Sequence, residues 1–466
     1  MGNFWDFSSW GFFNLVAVLL ASLLAANMLK RSIRWLEASL IPTSVLGGLI
    51  LLVISSVYNG ITGEEMFNTA FFGGNGTSWL ELLTYHTLAL GFTASALKTT
   101  GGILTKERSI EIFDTGLTTV STYLLQALVG MIICIIAAFF LEDLLEAAGL
   151  LLALGYGQGP GQAMNYGGIY EMDHGFVGGK SFGLTVASMG FLSASLGGVV
   201  YLNILKRKGK INLDKGSGVS KEEVEGTNEI PMQESIDKFT IQIALIVVAY
   251  MLAYFLMYVL GNLLPGMKTT IYGFNFILGV LAASLLKTVL NFCRKRGIIH
   301  RNYTNNFLLT RATNFFYDIM VTASIAAIRM SIIGKYWVVL LILGVVGLVV
   351  TYVYVHFICR KLFPKYAEQQ FLAMYGMLTG TASTGIILLR EIDGDFKTPV
   401  ADNLVYQNFP AMVFGFPILL LATMAPTKPY LTLGIVVGFF LVMNVLLFRS
   451  ILFGKKQKKQ EPEKIA

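Results

Sequence analysis

Long uninterrupted apolar runs leave this chain few ways to fold. Gly11–Leu29, Lys238–Leu260 and Tyr336–Cys359 are almost wholly apolar, and about 20 such residues cross the hydrocarbon core of a bilayer as a helix. Only 14% of the residues are charged and 55% are hydrophobic, whereas soluble domains carry roughly a quarter charged residues. A water-soluble fold of this length has no place to hide that much apolar surface. The runs are continuous, not alternating, which favours helices over a membrane barrel. The expected class is an all-α integral membrane protein.

Spans are expected at Gly11–Leu29, Glu37–Val57, Leu80–Leu97, Gly116–Leu141 and Phe182–Leu205. After a polar linker, residues 206–237, others are expected at Lys238–Leu260, Ile271–Phe292, Asn306–Ile328, Tyr336–Cys359, Leu404–Ala425 and Tyr430–Phe448. The first run lacks a basic segment before it and a clear cleavage site after it, so it reads as a retained span. Two further apolar stretches are broken by glycine. Leu145–Tyr170 contains Gly155-Tyr-Gly-Gln-Gly-Pro-Gly161, and Phe371–Leu389 contains Leu378-Thr-Gly-Thr-Ala-Ser-Thr-Gly385. Irregular backbone at membrane depth is tolerated only where protein or a water-filled cavity satisfies it, so both stretches read as re-entrant hairpins.

The loop charges test that count. Lys30, Arg31 and Arg34, then Lys98, Lys106 and Arg108, then Lys206–Lys210, Arg294–Arg296, Arg360–Lys365 and the tail from Lys455 to Lys459 are basic. Cytoplasmic loops are enriched in such residues. All of them fall on one side only if each broken stretch leaves on the face it entered, the first from outside and the second from the cytoplasm. The expectation is eleven spans with the N-terminus outside and the C-terminus inside. Residues 11–205 and 238–425 then form two inverted repeats of five spans, each with one re-entrant hairpin (145–170 and 371–389). Residues 430–448 add a last helix and 449–466 a basic cytoplasmic tail. Thr93-Ala-Ser95 in the third span is echoed by Thr322-Ala-Ser324 in the eighth. Inverted repeats with broken helices at the midplane characterise secondary transporters.

A break exposes the N–H groups of a half-helix, which favour a carboxylate, while freed carbonyls and hydroxyls favour a sodium ion. Candidate substrate ligands are Gly157, Gly159, Gly161, Gln162 and Asn165 in the first hairpin, and Gly380, Thr381, Ser383 and Thr384 in the second, with Arg390 closing it. The competing reading is that the glycines serve close helix packing and that Arg390 snorkels. The candidate sodium region comprises Thr93, Ser95, Thr322, Ser324, Asp318 and Asn408, the competing readings being that Asp318 pairs with Arg311 and that Asn408 only bonds between helices. His86 and Arg311 read as packing and snorkelling residues, and Gln407 either faces the site or bonds between helices. Cys134, Cys293 and Cys359 are scattered and the four histidines form no metal spacing. Neither a P-loop nor a hydrolase motif sits in a plausible setting, so neither an enzyme nor a cofactor is expected. The net charge of +7 resides in short loops and does not point to nucleic acid.

At Ile41-Pro-Thr-Ser-Val-Leu-Gly-Gly48, His86–Gly102, Gly155–Gly161 and, more loosely, Gly376–Gly385, the chain resembles the bacterial sodium/glutamate symporter family. The resemblance implies a multi-pass protein of the bacterial inner membrane that takes up L-glutamate with sodium as coupling ion. It also implies an elevator mechanism, with a transport domain carrying both hairpin tips moving against a homodimeric scaffold built on spans two, seven and their neighbours. Pro160 and Gln162 stand where the family's first tip has small or hydroxyl residues, and the family pattern has ten spans. An ion-coupled carrier of another carboxylate on the same scaffold is the alternative.

Overall fold

A computed structural model describes residues 4–98, 105–209, 236–394 and 397–452. Most of the linker at 206–237 and most of the tail at 449–466 lie outside the described residues. Among those described there are helices and no β-strand. Eight helices are long and apolar enough to cross a membrane, nine if one bent pair is counted as a single crossing. The chain is an all-α membrane protein.

The long helices before the linker are α1 (Phe7–Ser32), α2 (Thr43–Thr62), α3 (Gly76–Leu97) and α4 (Lys106–Ala138), followed by α5 (Pro160–His174) and α6 (Gly179–Arg207). After it come α7 (Lys238–Leu263), α8 (Asn275–Lys295), α9 (Asn306–Ala326), α10 (Trp337–Leu362), α11 (Ala367–Thr379) and α12 (Ala382–Arg390). The bent pair α13 (Val400–Tyr406) and α14 (Asn408–Met424) and then α15 (Pro429–Leu447) complete the series. Local chemistry moves some boundaries from their expected places. α2 starts at Thr43, not Glu37, because Pro42 precedes it in an extended conformation and Leu40 takes a left-handed turn at φ 55°. α4 starts at Lys106, ten residues before the expected Gly116, because Thr105 caps it by accepting from the Arg108 N–H. The 47° bend between α13 and α14 lies one turn before Pro410, whose ring has no N–H to return to Tyr406.

The helices pack as two groups. α1, α2, α3, α7, α8 and α9 pack mainly on one another, as do α4, α5, α6 and α10 to α15. Each group draws helices from both sides of the linker. In the first group α3 and α9 form the most extensive pairing. They are also long helices too polar to count among the apolar eight. α2 lies against α9 and α8 against α3, with α1 and α7 beyond them, so apolar helices shield the polar pair. The groups meet through α5 and α6, which touch α3 and α9.

Candidate functional site

The expected breaks fall where the glycines stand. From Glu146 to Leu150 the chain winds as a 3₁₀ helix, and from Ala153 to Gly157 as one π-helical turn; π turns leave irregular carbonyls and recur at functional sites. The chain then turns at Gly159, with φ 89° and ψ 177°, before α5 begins at Pro160. That combination belongs to a region open essentially to glycine alone. The second break falls at Gly380, between α11 and α12.

The two breaks meet. A Cβ placed on Gly159 would lie 3.7 Å from the Thr381 methyl and 3.8 Å from the Gly380 carbonyl oxygen. Residues some 220 positions apart in sequence thus share one buried locus. α4 ties them together. Gln126 Nε2 donates to the Leu378 carbonyl at 2.9 Å, just before the second break, and to Thr351 Oγ1 of α10 at 2.9 Å. The other end of the same amide, Oε1, lies 3.0 Å from a Cβ position on Gly157, is buried, and has no hydrogen-bond partner. Gln162, on the first turn of α5, is 1% exposed, and neither its oxygen nor its nitrogen has a partner. Buried amides of this kind are costly unless something pairs with them. The breaks are therefore flanked in the chain by buried amide groups that the protein itself leaves unmet.

The remaining expected ligands divide. Gly157 packs on Tyr123 and Gly161 on Leu88, so both serve close approach, as the packing reading holds. Asn165 donates to the Gly273 carbonyl across the group boundary at 3.3 Å. Thr381 caps α12 by accepting from the Thr384 N–H, and the two hydroxyls lie 3.3 Å apart. Ser383 is half-exposed beside them. Arg390 is exposed at the far end of α12, about 12 Å along the helix from the break at 1.5 Å per residue, so it is not brought to the tips.

The candidate sodium residues are not gathered at the breaks. Thr93, Ser95, Asp318, Thr322 and Ser324 belong to α3 and α9 of the first group, whereas both breaks belong to the second. Thr322 donates to the carbonyls of Ser44 and Asp318, and Ser324 to that of Val321. Thr93 Oγ1 is buried without a partner against Gly279 of α8. Asp318 is exposed on α9, bonded to the Ser44 side chain. Asn408 is exposed at the α13–α14 bend and accepts from Gln407 at 3.2 Å. Gln407 does reach inward, accepting from Thr119 of α4 at 2.9 Å and donating to Met377 Sδ before the second break. His86 bonds Tyr250 at 2.9 Å and Arg311 stacks over Phe307, both in packing roles.

The sequence reading missed the polar row on α4. Thr115, Thr118, Thr119, Thr122 and Gln126 are all buried and follow helical spacing on one face. Gln370 donates to Thr115 at 3.2 Å and Asn403 to Gln370 at 3.3 Å. The signal was legible: a lone amide in an otherwise apolar span with hydroxyls preceding it by three or four residues.

Two ionic contacts also mark the group boundary. Lys180 of α6 pairs with Glu81 of α3 at 2.6 Å, and Arg329, just past α9, approaches Glu171 of α5 at 3.7 Å. Both lie at the end of the bundle away from the linker, since α6 runs from Gly179 there to Arg207 beside it. No group of three or more potential metal ligands of the His, Cys, Asp or Glu type occurs among the described residues. Compared with known protein families, curated proteins and solved structures, the chain finds no match.

Proposed function

We propose that the protein is a secondary active transporter that carries L-glutamate into the cell coupled to sodium, by sliding one helix group against the other. The observation that carries this reading is the meeting of the two breaks, one from each half of the chain, in a buried locus with unmet amides. A binding site of that construction is what opposed broken helices provide in secondary transporters. Counted as crossings, the polar α3 and α9 join the apolar helices and the bent pair to give the expected eleven. The stretches 145–170 and 371–389 are then the re-entrant hairpins, and the two halves are inverted repeats.

The group division supports the elevator form of the reading. Both breaks sit in the second group, which serves as the moving part. α2, α8 and their neighbours form the first group, which serves as scaffold and, in a homodimer, as the contact between subunits. At the locus, the α5 N-terminus with the Gly161 and Gln162 N–H groups is the place for a carboxylate. Gln126 Oε1 and the irregular carbonyls of residues 153–157 are the oxygens open to sodium. Glutamate as cargo rests on the sequence resemblance at Ile41–Gly48, His86–Gly102 and Gly155–Gly161.

The deciding measurement is uptake of labelled L-glutamate into proteoliposomes containing the purified protein. Saturable uptake that requires an inward sodium gradient is expected. Uptake that is indifferent to sodium, or a steady conductance in place of saturable uptake, overturns the reading. A competition panel of amino and dicarboxylic acids then fixes the cargo.

A further inference from the structure

A second place in the molecule has unmet polar chemistry, remote from the breaks. A small cleft of about 70 Å³ opens at the bundle end away from the linker, between the last turns of α2, the start of α3 and the segment just past α9. Its polar lining includes Ser55, Ser56, Asn59, Glu65, Thr77 and Arg329. Arg329 is half-buried, and its Nε is fully buried without a hydrogen-bond partner. Glu171 approaches its guanidinium only at a long 3.7 Å from Nη2. Glu65 brings the opposite charge to the same cleft, and Asn68 and Thr77 fix its carboxylate by donating to Oε2 at 2.8 and 3.2 Å.

A cation and a positioned anion lining one small cleft are complementary to a molecule carrying both charges. We propose that this cleft binds a free amino acid. The ligand carboxylate takes the guanidinium edge of Arg329, which matches a carboxylate bidentately. The ammonium group rests on Glu65, with the hydroxyls of Ser55 and Ser56 beside it. Arg329 also faces Glu171, on the last turn of α5, the helix that begins at the first break. A ligand carboxylate competes with Glu171 for the guanidinium, so occupancy of the cleft loosens a contact between the helix groups. The site is therefore regulatory toward the locus at the breaks, and its binding chemistry stands whether or not that locus transports glutamate.

Equilibrium binding of labelled L-alanine and L-glutamate to the full chain in lipid nanodiscs tests this. The measurement is made in the wild type and in Gly159→Ala, which alters the breaks only. Saturable binding is expected in both proteins. Arg329→Gln or Glu65→Gln is expected to weaken it at least tenfold, and acetate or methylamine alone to compete at least tenfold less well than either amino acid. Glu65→Gln keeps the size and the bonds of a half-exposed side chain, so it separates lost binding from lost folding. Binding unchanged in both charge variants, no saturable binding of either amino acid, or binding lost only in Gly159→Ala overturns the assignment.

Discussion

The two breaks do the same topological job with different chemistry. The first turns on a glycine at φ 89° followed by a proline, and α5 has no side-chain cap. The second turns at Gly380 with φ −144°, and Thr381 caps α12 at once. Surroundings differ too: residues 147–157 and 159–164 are buried without exception, whereas Thr381, Ala382 and Ser383 are partly or fully exposed. A capped helix start has spent part of its capacity for an anion on its own side chain. An uncapped one keeps its N–H groups for a ligand. Pro160 contributes no N–H, so Gly161 and Gln162 are the donors left to α5. Under the proposed transport function, the first break is the place for the substrate carboxylate and the second its closing partner.

The sharpest way to break that asymmetry is to give both glycines the same side chain. Gly159→Ala forces a methyl group into a conformation that costs of order 1–3 kcal/mol outside glycine, and about a 100-fold loss of uptake is expected. Gly380→Ala meets only close contacts, at 3.0 Å from Thr384 Oγ1 and 3.1 Å from the Gly376 carbonyl, and about a tenfold loss is expected. Equal losses in the proteoliposome assay, or a larger one at Gly380, would reverse the assignment. Gln126→Leu comes next. It deprives the Leu378 carbonyl of its donor, a cost of about 1–3 kcal/mol for a buried group, and uptake is expected to fall about tenfold with a lowered Tm. Unchanged uptake would remove α4 from the site. Thr381→Val removes only a cap, worth about 1 kcal/mol, and about a fivefold loss is expected, with retention in Thr381→Ser as the control.

Much of this was legible because glycine and proline act locally. The run Gly155–Gly161 marks the first break within a residue or two, and Gly380 marks the second, since a helix cannot pass such sequences in good order. Most span ends were legible to within about a turn; the start and end of the second span and the start of the fourth moved further, where Pro42, the left-handed Gly63 and the cap at Thr105 set them. What could not be read was partnership across the fold. Nothing local says that Gln126 lies beside Gly157 and Leu378, or that Thr93 and Thr322 belong to the other helix group. The echo of Thr93-Ala-Ser95 in Thr322-Ala-Ser324 drew attention to hydroxyls that the structure occupies with helix packing: Thr322 and Ser324 bond to carbonyls. Arg390 was misleading for a related reason. Adjacency in sequence to a break says little when a helix of nine residues carries the side chain away from it.

The smallest expected effect bears on that division most directly. Thr93 is the one member of the echoed pair of tripeptides with a buried, unpartnered hydroxyl, lying against Gly279. Thr93→Val replaces that hydroxyl by a methyl of nearly the same shape. Where a buried hydroxyl has no partner, such a change is close to neutral or stabilising. If sodium is bound by the oxygens around the breaks, the sodium concentration for half-maximal uptake should shift less than about twofold, with Tm unchanged or slightly raised. If Thr93 ligates the ion, losing one of a few oxygens should shift it about tenfold or more, a 1.4 kcal/mol effect. Under the proposed sodium-coupled transport, a sodium titration of uptake in this one variant therefore decides whether the ion binds in the group that carries the breaks or in the group that faces them.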